Sequence, residues 1–229
     1  MIHYTHLAQG PLIECPFGSV RFYWQESDVP IGWASLQQVH GSTLIEVEPE
    51  GSPLESSPPQ ADGWVTRHPN LELGIRTADC LSVAFLGIER GCLLHAGWRG
   101  LRLGMIEKAL TAMAFDRLMV VVLGPCISAP FYEVDEAFVA QWHPFPQGFA
   151  QHLTPTDRKG FFLFDLKGYA RTRLNLHGIL NTQIVDVPLC TFRDGLPSYR
   201  RDQQQAARLV TVMNWKGALE GLKGFGESQ

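Results

Sequence analysis

Hydrophobic residues fall in short runs separated by glycine, proline and polar turns along most of the chain. Gly63–Thr66, Leu73–Arg76, Leu81–Leu86 and Gly91–His95 read as short strands. Ser19–Trp24, Ser35–Val39 and Thr43–Val47 also read as strands, the last two on either side of His40-Gly41. The period changes after Gly100. Leu101, Met105, Ile106, Ala109, Leu110 and Met113 share one helical face, with Arg102, Glu107 and Lys108 off it, which predicts a helix from Leu101 to Phe115. Leu118–Leu123 is the next strand, ending at Gly124-Pro125, and Val134–Trp142 reads as a short helix. Phe161–Phe164 is a strand, after which Asp165 is placed to cap a helix over Leu166–His177. Thr182–Val187 and Leu209–Val212 complete the strands. Pro30-Ile31-Gly32 is a break, and Glu50–Gln60 and Pro144–Lys159 read as loops. An irregular piece runs from Cys190 to Asp202, and the Gly-rich tail from Lys216 is expected to fray. Strands outnumber helices and both hairpins and crossovers fit, so a mixed sheet flanked by helices in a single domain over residues 1–229 is predicted.

Composition narrows the function. A chain of 229 residues with 45% hydrophobic and 18% charged residues can bury a real core. A net charge of -4 gives no basic footprint for nucleic acid. No apolar run approaches the roughly 18 to 20 residues that span a bilayer, so no membrane partner is expected. Met1–His6 lacks the pattern of a signal peptide. The five cysteines are scattered, odd in number and without a Cys-x-x-Cys pair, which favours a reducing cytoplasm.

The candidate chemistry centres on Cys92-Leu93-Leu94-His95-Ala96-Gly97-Trp98-Arg99-Gly100. Here an apolar strand ends on a histidine, glycines bracket a tryptophan and an arginine, and a helix opens. Its side chains and helix-start N–H groups suit a polar or anionic ligand. Gln37–Gly41 and Thr77–Cys80 offer further side chains at strand ends. His40, Cys80 and His95 are the sharpest candidates, because two imidazoles and one thiolate bind zinc and leave a fourth position open. On a divalent ion that set leaves net positive charge, which acidifies a bound water toward a pKa of about 7 or holds an anion. Spacing alone does not establish the set. The competing reading makes Cys80 a core residue, as Cys15, Cys92, Cys126 and Cys190 are taken to be. Trp98 is expected to pack on the sheet, and Arg99 to hold a ligand or carboxylate. Tyr199-Arg200-Arg201-Asp202 is either part of the site or a solvated charge cluster. His3, His6, His68, His143, His152 and His177 read as surface residues.

Several motifs occur in one order: Gln38-Val39-His40-Gly41, Thr77-Ala78-Asp79-Cys80, His95–Gly100, Gly124-Pro125-Cys126-Ile127 with Tyr132-Glu133-Val134, Cys190-Thr191 and Ser198–Asp202. The series resembles the bacterial YfiH-like family, also called laccase-domain or multicopper polyphenol oxidase proteins. The resemblance covers about residues 35–213, and the His95–Gly100 hexapeptide is its most specific part. It implies an α+β fold, a three-layer α/β/α arrangement with mixed β-sheets related to a group of cysteine hydrolases. It places the family's metal ligands on His40, Cys80 and His95, with zinc the expected metal and copper the alternative. Two departures stand out. Residues 1–34 lack the family's Thr-Arg-x-Gly-Gly-x-Ser turn, and Gln203–Arg208 stands where a Gly-Arg pair usually follows Arg-Arg-Asp.

Family members are described as purine nucleoside phosphorylases with adenosine deaminase activity, and some as peptidoglycan editing factors. The leading expectation is therefore a zinc-dependent enzyme of purine nucleosides. Arg99 and the helix start would hold phosphate, and Asp79 would shuttle a proton in adenosine deamination. The cytidine-deaminase signature is absent, so deamination would use another scaffold. A competing expectation is hydrolysis of an amide in a muramyl precursor, with Cys80 as nucleophile or ligand and His40 or His95 as base. Copper polyphenol oxidation is disfavoured, since none of the eight histidines is spaced as His-x-His. A metal-stabilised partner-binding protein is the non-enzymatic alternative. Arg99 and at least one of Arg200 and Arg201 are expected to face the cleft of the three ligands.

Overall fold

The computed structural model describes residues 1–47, 57–114 and 119–217. A five-stranded antiparallel sheet runs in the order β1 (His3–Leu7), β2 (Gly10–Cys15), β3 (Gly18–Tyr23), β14 (Leu209–Trp215), β6 (Glu72–Thr77). It packs on a mixed six-stranded sheet in the order β13 (Ile184–Asp186), β9 (Val120–Leu123), β7 (Leu81–Leu86), β8 (Gly91–Ala96), β5 (Gly63–Thr66), β4 (Leu44–Val47). In this sheet β13–β9 and β5–β4 are parallel pairs and the other three pairs are antiparallel.

The six-stranded sheet is the middle layer. All residues of β5, β7, β8 and β9 are buried, which accounts for their unbroken apolar runs. The two-residue period assigns each side chain to a face. Val65, Val83, Phe85 and Leu94 join one core, while Trp64, Ala84, Leu86 and Leu93 join the core shared with the five-stranded sheet. The first core is closed by α1 (Trp98–Arg102), α2 (Met105–Ala112), α3 (Glu136–Ala140), α4 (Leu166–Leu176) and a three-stranded antiparallel sheet, β10 (Glu133–Asp135), β12 (Phe161–Phe164), β11 (Leu153–Pro155). A short α5 (Tyr199–Asp202) precedes β14. The expected α+β class with mixed sheets is present.

Several local expectations need correction. The helix predicted over Leu101–Phe115 is two helices, because Gly104 sits between them at φ 76° in the left-handed region, and Phe115 lies outside the described residues. A five-residue α1 carries little macrodipole, so the anion site expected at its start lacks that support. The segment Val134–Trp142 opens with β10 before α3, and Asp135 caps that helix by accepting the Phe138 N–H at 2.8 Å. The loop over Pro144–Lys159 contains β11. The Asp165 cap is as expected, accepting the Gly168 N–H at 2.9 Å at the start of α4. Most of the Glu50–Gln60 loop and the tail beyond residue 217 lie outside the described residues.

The predicted strand Ser35–Val39 is instead a strap along the outer edge of β6, with one bridge from Ala34 to Leu73 of β6 and another from Gln37 to Gln60. Ala34 N–H donates to the Glu72 carbonyl, and Gly74 N–H to the Ala34 carbonyl, both at 2.8 Å. The Gln38 amide then replaces a ladder step. Its Nε2–H donates to the Arg76 carbonyl and its Oε1 accepts the Arg76 N–H, both at 2.7 Å. The strap delivers His40 to the end of the sheet.

Ile106 is fully buried on α2 within the helix-side core. Ile106→Ala is expected to cost about 2–5 kcal/mol through lost burial and a residual cavity. The check is urea unfolding, with the midpoint lowered and the slope unchanged.

Candidate metal centre

His40, Cys80 and His95 come from three separate segments, and one ligand atom of each lies within 4.8 Å of the others. The two imidazole rings meet edge to face with centroids 4.8 Å apart. A small inward shift would let one ion reach all three at bonds of about 2.0–2.3 Å. The donor set, two imidazoles and a thiol, fits zinc or copper, and a fourth position is left toward a cavity.

Each ligand is held by its local backbone. His95 lies near the end of β8, opposite Ser82. His40 turns at φ 59°, and Asp79 at φ 84° swings Cys80 out of the line of β6. Two glycines of the His95–Gly100 hexapeptide are close-contact sites. A Cβ on Gly97 would lie 2.9 Å from the Cys80 sulfur, and one on Gly100 would lie 2.7 Å from the Gly41 carbonyl oxygen. Only glycine lets α1 sit this close to both ligand loops.

The residue that assembles the centre is Asp62, fully buried and absent from the expected site. Its Oδ1 accepts the His40 N–H at 2.9 Å and the His95 Nδ1–H at 2.8 Å, and its Oδ2 accepts the Gly41 N–H at 2.6 Å. A proton fixed on Nδ1 leaves Nε2 of His95 free to bind, the usual carboxylate–histidine–metal pattern. An acidic residue within the apolar context Ala61-Asp62-Gly63-Trp64 was the available signal.

Electrostatics follow from this packing. Burial works against the Asp62 charge, but the bonds from His95 and Gly41 prevail and hold it below the usual carboxylate range. Burial also opposes charge on Cys80 and His95. Their mutual attraction and hydrogen bonding win, so the thiol is driven down and the imidazole up. Without an ion these shifts favour thiolate and imidazolium, and an ion bound at Nε2 takes the place of the ring's second proton.

These groups open into a cavity of about 630 Å³ whose wall also carries Asp79, Arg76, Arg99, Arg200 and Arg208. The Arg99 guanidinium lies 4.4 Å over the Trp98 ring and makes no hydrogen bond or ion pair among the described residues. Trp98 itself packs on Phe138 of α3, at 4.9 Å between centroids, and against the core between the six-stranded sheet and the helices. Arg200 donates to the Glu133 carbonyl at 2.9 Å, and Arg76 pairs with Glu26. Arg201 does not line the cavity; it forks onto Asp202 at 2.7 Å and donates to the Leu196 carbonyl at 2.8 Å. Of the two expected arginines it is Arg200 that lines the cavity, and Arg76 and Arg208 were missed. Asp79 fastens the segment after Cys190, its oxygens accepting the Thr191 hydroxyl and the Arg200 N–H, each at 2.6 Å. Thr77 Oγ1, in the cavity wall, has no partner among the described residues. Of the other cysteines, Cys92, Cys126 and Cys190 are buried, and Cys15 is half-buried.

Asp62→Asn would turn an amide donor toward a group that also donates. It is expected to lower zinc affinity by about 10–100-fold, the scale of lost outer-shell support. Equilibrium dialysis of wild type and variant against zinc checks this, and equal affinities would remove Asp62 from the assembly.

Comparison with known proteins identifies the family. Residues 22–216 match the family model described as multi-copper polyphenol oxidoreductase laccase. A protein of Aquifex aeolicus named purine nucleoside phosphorylase is 33% identical over 180 residues, which cover 77% of this chain and 80% of that protein. The Escherichia coli protein named purine nucleoside phosphorylase YfiH is 34% identical over 178 residues, 73% of this chain and 68% of that one. The crystal structure of Bacillus licheniformis YfiH matches with a TM-score of 0.73 at 25% identity, over 83% of this chain and 77% of that chain. YlmD from Geobacillus stearothermophilus matches in fold with a TM-score of 0.77 at 22% identity, over 94% and 100%. With the family model covering most of its length and relatives above 30% identity, the chain belongs to the multi-copper polyphenol oxidoreductase laccase family, that of the YfiH-like proteins.

Proposed function

We propose that the protein is a zinc-dependent purine nucleoside phosphorylase that also deaminates adenosine. The observation that carries the reading is the single cavity shared by the three metal ligands and four arginines. Its volume of about 630 Å³ suits a nucleoside with phosphate beside it. The names of the curated relatives support the nucleoside class.

His40, Cys80 and His95 would hold the ion, with copper as the alternative occupant, and the ion when bound supplies Lewis-acid polarisation of an oxygen. Arg99, whose guanidinium stacks on Trp98 with its N–H groups unpaired among the described residues, would bind phosphate oxygens bidentately, with Arg200 also in the wall. Asp79 is the proton carrier in this reading, moving a proton to the departing amino nitrogen of adenosine. Polyphenol oxidation finds less support, since His40, Cys80 and His95 are the one cluster of three such ligands among the described residues. The reading includes a cytoplasmic setting. No helix among the described residues is long and apolar enough to cross a membrane.

A second reading rests on Asp62, His95 and Cys80. Carboxylate, imidazole and thiolate stand in the order of roles used in acyl transfer by cysteine. It would make the protein a peptidoglycan-editing hydrolase of a muramyl amide, with the arginines holding the precursor's acidic groups.

Steady-state kinetics with inosine and varied phosphate test the first reading. Arg99→Ala is expected to lose about tenfold or more in kcat/KM for phosphate, the effect of one charge-assisted contact. Chelation should abolish turnover. Unchanged phosphorolysis in the variant removes Arg99 from phosphate binding. Chelator-resistant hydrolysis of muramyl amides without nucleoside turnover establishes the second reading instead.

A further inference from the structure

Cys126 and Cys190 lie outside the metal centre and are unused in either reading of the function. Cys126 follows β9 and Cys190 follows β13, two parallel neighbours whose extensions meet again in one parallel bridge between the two cysteines. The Thr191 N–H donates to the Cys126 carbonyl at 3.1 Å and locks that register. Neighbouring strands lie about 4.8 Å apart, which falls within the range of backbone separations a disulfide bridges. Both residues line a second cavity of about 230 Å³, together with Ser128, Lys167 and Arg193.

The two thiols differ in surroundings. The Cys190 sulfur accepts the Ser128 hydroxyl at 3.0 Å and the N–H groups of Ser128 and Arg193, each at 3.4 Å. Three donors around one sulfur suit a thiolate. The turn that carries Cys190 and Arg193 is fixed from both ends, with the Cys190 N–H donating to Asp194 Oδ2 at 2.8 Å and the Asp194 N–H to the Cys190 carbonyl at 2.9 Å. Cys126 packs in the helix-side core and directs its weak S–H toward the Ile127 carbonyl.

We propose that Cys126 and Cys190 are a peroxide-reactive thiol pair, in which Cys190 attacks a small hydroperoxide and Cys126 then closes a disulfide onto it. The cavity admits a molecule of the size of hydrogen peroxide. In the first step the Cys190 thiolate attacks one peroxide oxygen and the O–O bond breaks. A sulfenic acid forms, and the departing hydroxide takes a proton to become water. In the second step the Cys126 sulfur attacks the Cys190 sulfur and the S–O bond breaks. The departing hydroxide combines with the Cys126 proton to give a second water. Two thiols lose two electrons and one peroxide gains them. Acid strength supports the order of attack. Burial opposes the Cys190 thiolate but the bonds from Ser128 and the turn outweigh it and lower its pKa, whereas burial pushes Cys126 up to about 12.

The test is peptide mapping by mass spectrometry after treating the full chain with a few equivalents of hydrogen peroxide at neutral pH. The expected product joins the Cys126 and Cys190 peptides with loss of two hydrogens, and a reductant reverses it. In Cys126→Ser the sulfenic acid persists and dimedone labels Cys190. In Cys190→Ser, Cys126 stays a free thiol under the same treatment. The proposal is overturned if Cys190 of the wild type stays free while other cysteines oxidise. It is equally overturned if Cys190 passes to sulfinic acid with no linked peptide, or if Cys126 oxidises in Cys190→Ser.

Discussion

One buried carboxylate organises the functional end of the molecule. Asp62 accepts from the backbone at His40 and Gly41 and from the side chain of His95, so it sets a loop conformation and a ring orientation together. Its own backbone is equally engaged, donating to the Thr43 carbonyl at 3.0 Å and accepting from the His95 N–H at 2.8 Å. A buried anion with three donors is stable where an unpaired one would be very costly. The fold can therefore hold a charge at the base of the site, and that charge fixes the Nδ1 proton of His95 and makes the ring more basic. Two ligands depend directly on this residue and the third answers electrostatically to one of them.

Around that anchor the geometry depends on side chains that are missing as much as on those present. Gly97 and Gly100 let α1 approach the Cys80 sulfur and the Gly41 carbonyl. The helix then presents Arg99 to the cavity while Trp98 wedges against Phe138 and holds the α3 region in place. On the opposite wall Asp79 ties the segment after Cys190 to the turn that carries Cys80. The cavity is thus built from the ends of strands in two different sheets, with the sheets themselves rigid beneath it.

Much of the core was legible because its physics is local. Strands β5 and β7–β9 are buried on both faces, so their apolar runs are continuous and easily found. The motifs bearing His40, Cys80 and His95 stand at strand ends beside turn residues, where side chains converge, and family resemblance joined them across long gaps in sequence. Residues 1–18 resisted because β1 is almost wholly exposed and carries no apolar face. Gly104 breaks a helix whose hydrophobic spacing continues across it, so periodicity alone merged α1 with α2. Arg76 and Arg208 could not be read as site residues because the cavity they line is assembled from distant segments, whereas Asp62 carried one local signal, an acid in an apolar context. Gln38 resisted for a related reason, since nothing local distinguishes a side chain that substitutes for a strand.

The strap along β6 has a consequence for how this protein coexists with its own copies. An outermost strand normally offers a row of unsatisfied N–H and C=O groups to any passing chain. Here the Glu72 carbonyl, the Gly74 N–H and both backbone groups of Arg76 are occupied by Ala34 and Gln38, and the Gly74 carbonyl accepts the Trp64 indole N–H at 3.1 Å. The border of the sheet is sealed without a further strand. A stray β-segment would have to displace a glutamine amide, an indole and a length of backbone at once to dock there, so the segment that delivers a metal ligand also guards this edge of the sheet against edge-to-edge polymerisation.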